Sequence, residues 1–353
     1  TLVLQSLDYV PKSISFKVLN DLPSWMVASA TLQRIERAPT ALELFAHGAH
    51  DAPGTFEIGN SALKIETANS AELGLQRFQG DFRFDAKIFY TYYNNFIFRQ
   101  ATGILCGATF ATCGNGVDTG FIQTIYSQRD AIFRGTEVAW QWDLVPLATG
   151  IFGVDGQYDF VRATFAADGG NVPRMPPMRV GGGAYWRADD WFVRTGLLHA
   201  FGQHDLGVNE TPTAGYNLLK VQIENTRFYQ NSPWGPTLIT TGLTGDNLLD
   251  VDVRNHVQFH KDEILLPGRS IKLFMNAKFG AEPRTDQAAE GYYKRSTGYG
   301  SPLFYKAPIA TAWSWAGPYL GLNLGYSAGK SKTDGVFSDA TLGTPLFATG
   351  SSD

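Results

Sequence analysis

Residues 82–99 alternate, with a period of two, between an apolar set and a set that holds the charged side chains. Successive side chains of a β-strand point to opposite faces of the sheet, so this period predicts a two-faced strand. Strands of soluble domains are usually about 3 to 10 residues long. A longer strand is typical of a transmembrane barrel, with lipid on one side and a polar lumen on the other. The apolar face holds Phe82, Phe84, Ala86, Ile88, Tyr90 and Tyr92, and the opposite face holds Arg83, Asp85, Lys87, Phe89, Thr91 and Tyr93.

The same alternation recurs along the chain and predicts about eleven strands between residues 14 and 279. Short and long links alternate between them, which is typical of transmembrane barrels. A soluble β-sandwich is the alternative, but its strands would be shorter and its outer face polar. We therefore expect an all-β fold, a partial transmembrane antiparallel barrel. The short links are residues 21–24, 79–81, 145–150, 188–190 and 230–236. Residues 38–60, rich in Gly, Pro and His, are predicted to be a large loop.

The composition argues against several classes of function. A net charge of -4 without a basic patch argues against nucleic-acid binding. No stretch approaches the roughly 20 consecutive apolar residues of a membrane helix, so a membrane location requires strands. No paired carboxylates, activated nucleophile or phosphate-binding glycine loop appears in a context that supports catalysis, and we expect neither an enzyme nor a resident cofactor.

Cys106 and Cys113 lie in a Gly/Thr/Asn-rich link between two predicted strands. A thiol or metal pair would need further ligands, which this link lacks. A disulfide in an oxidising compartment is therefore the favoured interpretation.

Short motifs give the chain a family resemblance. They are ERAPT at residues 36–40, ELF at 43–45, GDNLL at 245–249, LPGR at 266–269 and a final strand ending at Phe279. In this order the chain resembles TonB-dependent outer-membrane receptors, whose barrels have 22 strands around an N-terminal plug. Residues 1–279 would correspond to the C-terminal half of that barrel. Open sheet edges are not tolerated in lipid, and neither plug nor TonB box is evident, so we expect a fragment or a product that cannot form the family's transporter alone.

The resemblance implies a location in the outer membrane of a Gram-negative bacterium. It also implies energised uptake of a metal ion or metal chelate, zinc or a siderophore. The implied partners are outer-membrane lipid, the TonB–ExbB–ExbD system acting through a plug, the barrel assembly machinery and the small ligand itself. A structural or adhesive outer-membrane barrel without a transport role is the alternative.

Residues 43–60 are similar to a His-bearing loop of the zinc-uptake subgroup of this family. Imidazole and carboxylate groups are suitable zinc ligands, and a second group of such residues lies at 256–263. If the two segments meet above the lumen, they could capture a cation weakly. The alternative is that these are solvated loop residues, since their spacing matches no closed zinc site. The candidate metal ligands are His47, His50, Asp51, His256 and His260, with Asp262 and Glu263 nearby.

The chain continues beyond Phe279, where the family's barrel ends. Residues 280–312 are polar and contain Gly and Pro, which predicts a linker. Residues 313–353 resemble the opening of a small opacity-type outer-membrane barrel, in which a YKAP segment, here 305–308, precedes a Trp-rich first strand. We expect one strand near residues 319–326, in an extension that is poorly ordered or packs on the first module.

Overall fold

The computed structural model describes residues 7–114, 116, 120–279, 319–326, 337–338 and 345–346. Most of this chain forms β-strands. In these residues no helix is long and apolar enough to cross a membrane. The main strands are β1 (Lys12–Leu22), β2 (Met26–Arg37), β5 (Glu66–Arg77), β6 (Phe82–Cys106), β7 (Phe121–Leu147), β8 (Gly150–Phe165), β9 (Arg179–Arg187), β10 (Trp191–Ala200), β11 (Tyr216–Tyr229), β12 (Thr237–Asp246) and β13 (Ser270–Phe279). The shorter elements are α1 (Ala41–Phe45), β3 (His47–His50), β4 (Thr55–Ile58), the 3-10 turn η1 (Phe110–Thr112), β14 (Tyr319–Tyr326), β15 (Phe337–Ser338) and β16 (Pro345–Leu346).

The eleven main strands form one antiparallel meander, in which each strand pairs with its neighbours along the chain. Short links join them at one end and long links at the other. The sheet does not close: within the described residues, β13 pairs only with β12 at one edge, and β1 carries β14 at the other. The prediction of an all-β, partial antiparallel barrel of about eleven strands is therefore confirmed.

The predicted two-faced pattern of the strands is also observed. On β6, Arg83 and Asp85 expose only 7% and 5% of their surface, whereas Ile88 and Tyr90 on the other face expose 52% and 48%. The buried charges are paired, since Arg83 Nη1 donates to Asp143 Oδ2 on β7 at 2.9 Å. The polar face is thus the inner one, and the apolar face is the outer one.

Strands β6 and β7 are longer than predicted, with 25 and 27 residues. The alternation is interrupted at two register shifts, between Tyr93 and Phe96 and between Ala101 and Leu105. Past the first shift, residues 95–106 and 121–130 pair mainly with each other and form what we call the β6–β7 ribbon. A β-strand rises about 3.3 Å per residue, so strands of this length extend well beyond the thickness of a membrane core.

The prediction of a large loop at residues 38–60 is wrong. Thr40 caps α1 reciprocally with Glu43, a capping box that stabilises this short helix. The β3–β4 hairpin follows, and β4 lies parallel to β7 on the ribbon, with Thr55 opposite Ile122. Strands as short as these gain their stability from pairing with a partner distant in sequence, which local patterns do not reveal.

Within the C-terminal extension, β14 pairs antiparallel with β1, from Lys12 opposite Tyr326 to Leu19 opposite Tyr319. Strands β15 and β16 pair with each other. The predicted linker at residues 280–312 and the expected poor order of the extension lie outside the described residues. The assignment of residues 313–353 to a second barrel stays a prediction.

Candidate functional site

The long links gather at one end of the sheet because antiparallel strands return the chain to the same end at every second link. These links contact one another and the β6–β7 ribbon. Asn209 Nδ2 donates to the carbonyl of Ala101 at 2.9 Å, and Lys261 Nζ donates to Thr211 Oγ1 at 2.6 Å. Together they form a connected cluster, which we call the loop cap. Its segments are the links at residues 38–65, 107–114, 166–178, 201–215 and 247–269, together with the β6–β7 ribbon.

Glu57 on β4 joins the β3–β4 hairpin to the ribbon. Its surface is 1% exposed. Burial by itself would raise the pKa of this carboxyl, but the hydrogen bonds to its oxygens and the charge of Arg99 outweigh that effect and lower it. Glu57 is therefore a fully engaged carboxylate. Its partners are Arg99 Nη1 at 2.6 Å, Tyr126 Oη at 2.8 Å, Thr55 Oγ1 at 2.8 Å and His50 Nδ1 at 3.1 Å.

Two arginines stack on one aromatic ring in the loop cap. The guanidinium carbons of Arg174 and Arg99 lie 3.9 Å and 4.6 Å from the ring centroid of Phe259. The Nε atom of Arg174 is buried and has no hydrogen-bond partner in the described structure. Burial, and then the nearby charge of Arg99, lower the pKa of Arg174 to about 10, so its side chain remains a cation at neutral pH.

Near Arg174 lie a partly buried acid, Glu210, and a buried imidazole, His256. Glu210 accepts hydrogen bonds from the backbone N–H groups of Arg174 at 2.6 Å and Gly207 at 2.7 Å, and burial raises its pKa. His256 is 2% exposed, with Nδ1 2.8 Å from Thr213 Oγ1 and Nε2 3.9 Å from a Glu210 oxygen. Burial, followed by the charge of Lys261, lowers the pKa of His256 to about 4. This imidazole is therefore neutral at physiological pH.

His260 links the last long segment to the β3–β4 hairpin. Its Nε2 atom lies 2.6 Å from the carbonyl oxygen of Gly54 and its Nδ1 atom lies 2.8 Å from Glu263. Burial opposes the charged imidazole, but these two acceptors outweigh it and raise the pKa of His260. Gly54 has a φ of 66°, and a Cβ atom there would collide with the imidazole ring. Glycine is therefore required at this contact.

The two predicted histidine segments meet at this contact, but their side chains do not converge. His50 faces Glu57, His256 faces Thr213, and His260 faces Gly54. Among the residues that the structure describes, no three His, Cys, Asp or Glu side chains form a group that could hold a metal ion. The metal-binding roles of His47, His50, Asp51, His256 and His260 stay predictions. At the ribbon tip, Cys106 and Cys113 form a disulfide.

Sequence reasoning missed the residues that define the centre of the loop cap. Arg99 lies at the end of the predicted strand pattern, and Arg174 and Phe259 are isolated residues in long links. Nothing in their local sequence indicates that three distant segments meet. Only the unusual length of β6 indicated that the chain extends beyond the barrel into the loop cap.

The sequence profile described as "TonB dependent receptor-like, beta-barrel" matches residues 9–255, and the chain belongs to this family. Barrels of this family are outer-membrane proteins of Gram-negative bacteria, and the family comprises receptors and transporters rather than enzymes.

Solved structures agree on the fold. One neighbour is the copper transporter OprC, with a TM-score of 0.56 and 19% identity, over 75% of this chain and 39% of that one. Another is the Q482A mutant of the ferric enterobactin receptor PfeA from Pseudomonas aeruginosa, in complex with enterobactin, with a TM-score of 0.51 and 17% identity, over 75% and 40%. The chain thus spans about two fifths of the length of these neighbours. The similarity to the zinc-uptake subgroup and to opacity-type barrels stays a prediction.

Proposed function

We propose that the complete protein is a TonB-dependent transporter of the Gram-negative outer membrane, which takes up a metal ion or a metal chelate. The observation that carries this proposal is the family match over residues 9–255. The loop cap supports it, because long links that meet above a barrel are where receptors of this kind vary their binding surfaces.

The proposed partners follow from the barrel. Lipid would contact the outer face, on which Ile88 exposes 52% and Leu273 81% of their surface. The TonB–ExbB–ExbD system would act through a plug. The barrel assembly machinery would engage the strand that ends at Phe279.

The identity of the cargo is a more specific proposal than the transport function. The copper transporter and the enterobactin receptor among the neighbours support a metal or a metal chelate as the cargo class. The proposal of zinc as the cargo rests on the two histidine-containing segments alone. For zinc to bind His50 or His260, it would have to replace their contacts with Glu57 and Gly54.

Uptake by cells that express the complete receptor tests the function. Radiolabelled zinc, copper and iron, each as free ion and as chelate, are supplied to cells with and without TonB. We expect accumulation of at least one species that disappears without TonB. Accumulation that is equal in both strains for every species would overturn the transport function and favour a structural or adhesive barrel.

A further inference from the structure

A groove lies on the outer face of the sheet, across strands β10 to β13, with a volume of about 520 Å³. Its shape follows from the sizes of the residues in one row of the paired strands. In this row Trp191, Asn225, Thr241 and Met275 lie opposite one another in turn. The two short side chains in the middle leave a depression, and the two long side chains at the ends form its walls.

The lining of the groove changes from polar to apolar along the strands. The row that holds Asn225 and Thr241 is nearer the short links, and the next row toward the long links holds Ile223, Leu243 and Leu273. Each step of two residues along a strand is about 7 Å. Polar side chains are unusual on a surface that faces lipid, because hydrocarbon cannot satisfy their hydrogen-bonding groups.

An arginine lies at the short-link end of the groove. Arg227 follows Asn225 by two residues on β11, so both face outward, and Arg227 is exposed. Its Nε atom donates to Asn225 Oδ1 at 3.2 Å, and Asn225 Nδ2 donates to the carbonyl of Asp190 at 3.2 Å. These hydrogen bonds hold the guanidinium beside the groove. Among the described residues, no acid forms an ion pair with Arg227.

The short-link end of the sheet has the features of a membrane surface. Short links of transmembrane barrels face the periplasm, and aromatic side chains gather where lipid meets water. Trp191, Tyr229 and Trp234 are exposed aromatic residues at or beside the short links. Arg227 therefore lies at the level of the lipid head groups of the periplasmic leaflet, and the apolar row of the groove lies deeper in the bilayer.

We propose that this groove binds a phospholipid of the periplasmic leaflet, with the lipid phosphate on Arg227 and one acyl chain over Leu243 and Ile223. A guanidinium binds phosphate through charged, parallel hydrogen bonds. A phospholipid carries its phosphate, its glycerol esters and its acyl chains in this order from the membrane surface inward. The groove presents the matching order, since Asn225 and Thr241 lie between the arginine and the apolar row. The site does not depend on the cargo or on the transport function.

Native mass spectrometry of the full-length protein in detergent tests the site. Phosphatidylglycerol is the probe, because its only charge is on the phosphate. We expect wild type to bind it about tenfold or more tightly than Arg227→Gln, which loses the charged hydrogen bonds. Thr241→Trp should weaken binding by a similar factor, because the indole would fill the depression between Trp191 and Met275.

Two further probes separate the parts of the lipid. Diacylglycerol with the same acyl chains lacks the phosphate, and glycerol phosphate lacks the acyl chains. Each is expected to bind wild type about tenfold or more weakly than phosphatidylglycerol does, because each can occupy only one part of the site.

Arg134→Gln is the matched control. Arg134 is also exposed on the outer face, but it lies on β7 opposite Tyr90 and Arg162, outside the groove. Its replacement is expected to leave phosphatidylglycerol binding unchanged. Heat-modifiable migration in gels checks that each variant keeps a folded barrel.

Equal phosphatidylglycerol affinity in wild type and Arg227→Gln would overturn the site. A loss in Arg134→Gln as large as that in Arg227→Gln would also overturn it, because lipid would then be held by unspecific attraction to exposed arginines. Unchanged binding in Thr241→Trp would refute the position of the acyl chain. Diacylglycerol that binds as tightly as phosphatidylglycerol would refute recognition of the phosphate.

Discussion

At the scale of single residues, the loop cap is held by buried polar groups whose partners come from distant parts of the chain. Glu57 is the clearest example, since the ribbon supplies Arg99 and Tyr126 to its carboxylate. A hydrogen bond to a charged group contributes about 1.5–3 kcal/mol, and more is lost when the remaining partner stays buried. Glu57 therefore adds side-chain contacts to the backbone pairing of β4 with β7 in holding the β3–β4 hairpin.

Replacement of Glu57 by Gln is expected to loosen the hairpin by about 2 kcal/mol, because the amide keeps the shape and loses the charge that pairs with Arg99. Hydrogen exchange of residues 47–58 measures the effect. Asp168→Asn is the control, since Asp168 pairs with Arg129 in a different link and has a side chain that is 59% exposed. Equal protection in Glu57→Gln and wild type would contradict the assigned role.

His260 should make the contact between hairpin and last loop depend on pH. Its pKa is raised in the folded protein, so the charged form contributes stability that is fully present below the usual value of about 6.5 and is lost as pH rises through the folded pKa. We expect stronger protection of the amides at residues 51–54 at low pH than at high pH. Hydrogen exchange, corrected for its intrinsic pH dependence, measures this.

The His260→Gln variant serves as the control for this pH effect. It is expected to show the same corrected protection at both pH values. A pH effect that persists unchanged in this variant would have to come from another group.

At the scale of secondary-structure elements, the β6–β7 ribbon supplies Arg99 to the loop cap. Arg99 lies on β6 beyond the first register shift, where the strand no longer pairs with β5. The disulfide between Cys106 and Cys113 closes a short loop at the ribbon tip, with a sequence separation of 7. The barrel thus positions the ribbon, and the ribbon positions Arg99 over the ring of Phe259.

Loss of the disulfide is expected to affect the ribbon tip and not the barrel. The chain-entropy relation for so short a loop gives about 2–3 kcal/mol of stabilisation. In the double variant Cys106→Ser/Cys113→Ser, limited proteolysis should cut the 107–120 link faster. Heat-modifiable migration of the barrel should not change. A barrel that melts earlier would show that the disulfide acts beyond the ribbon.

At the scale of the whole molecule, the meander of main strands is bounded by β1 on one side and β13 on the other. Because the meander has an odd number of antiparallel strands, β1 and β13 run in the same direction. Strand β14 lies antiparallel on β1 and covers that edge. Exposed edges present unpaired N–H and C=O groups, which are especially unfavourable in lipid. Strand β14 therefore pairs the outward groups of β1 and, among the described residues, becomes the edge of the sheet in its place.

Replacement of Leu322 on β14 by Pro removes an N–H and is expected to weaken the pairing with β1. Hydrogen exchange of Lys12–Leu22 should then accelerate. The Leu322→Ala variant keeps the N–H group and should stay near wild type. No change of β1 exchange in the proline variant would mean that β14 does not cover this edge in solution.

The sequence alone determined the barrel. Alternation with period two and the order of short and long links predicted the number of strands and the inner face of Arg83 and Asp85, because these features depend on neighbours along the chain. The extra length of β6 and β7 was not predicted. The structure alone decided the loop cap. Glu57 with Arg99, Phe259 with Arg174, and His260 with Gly54 are contacts between segments far apart in sequence. Their geometry follows from how the barrel brings link ends together, and no local pattern records it.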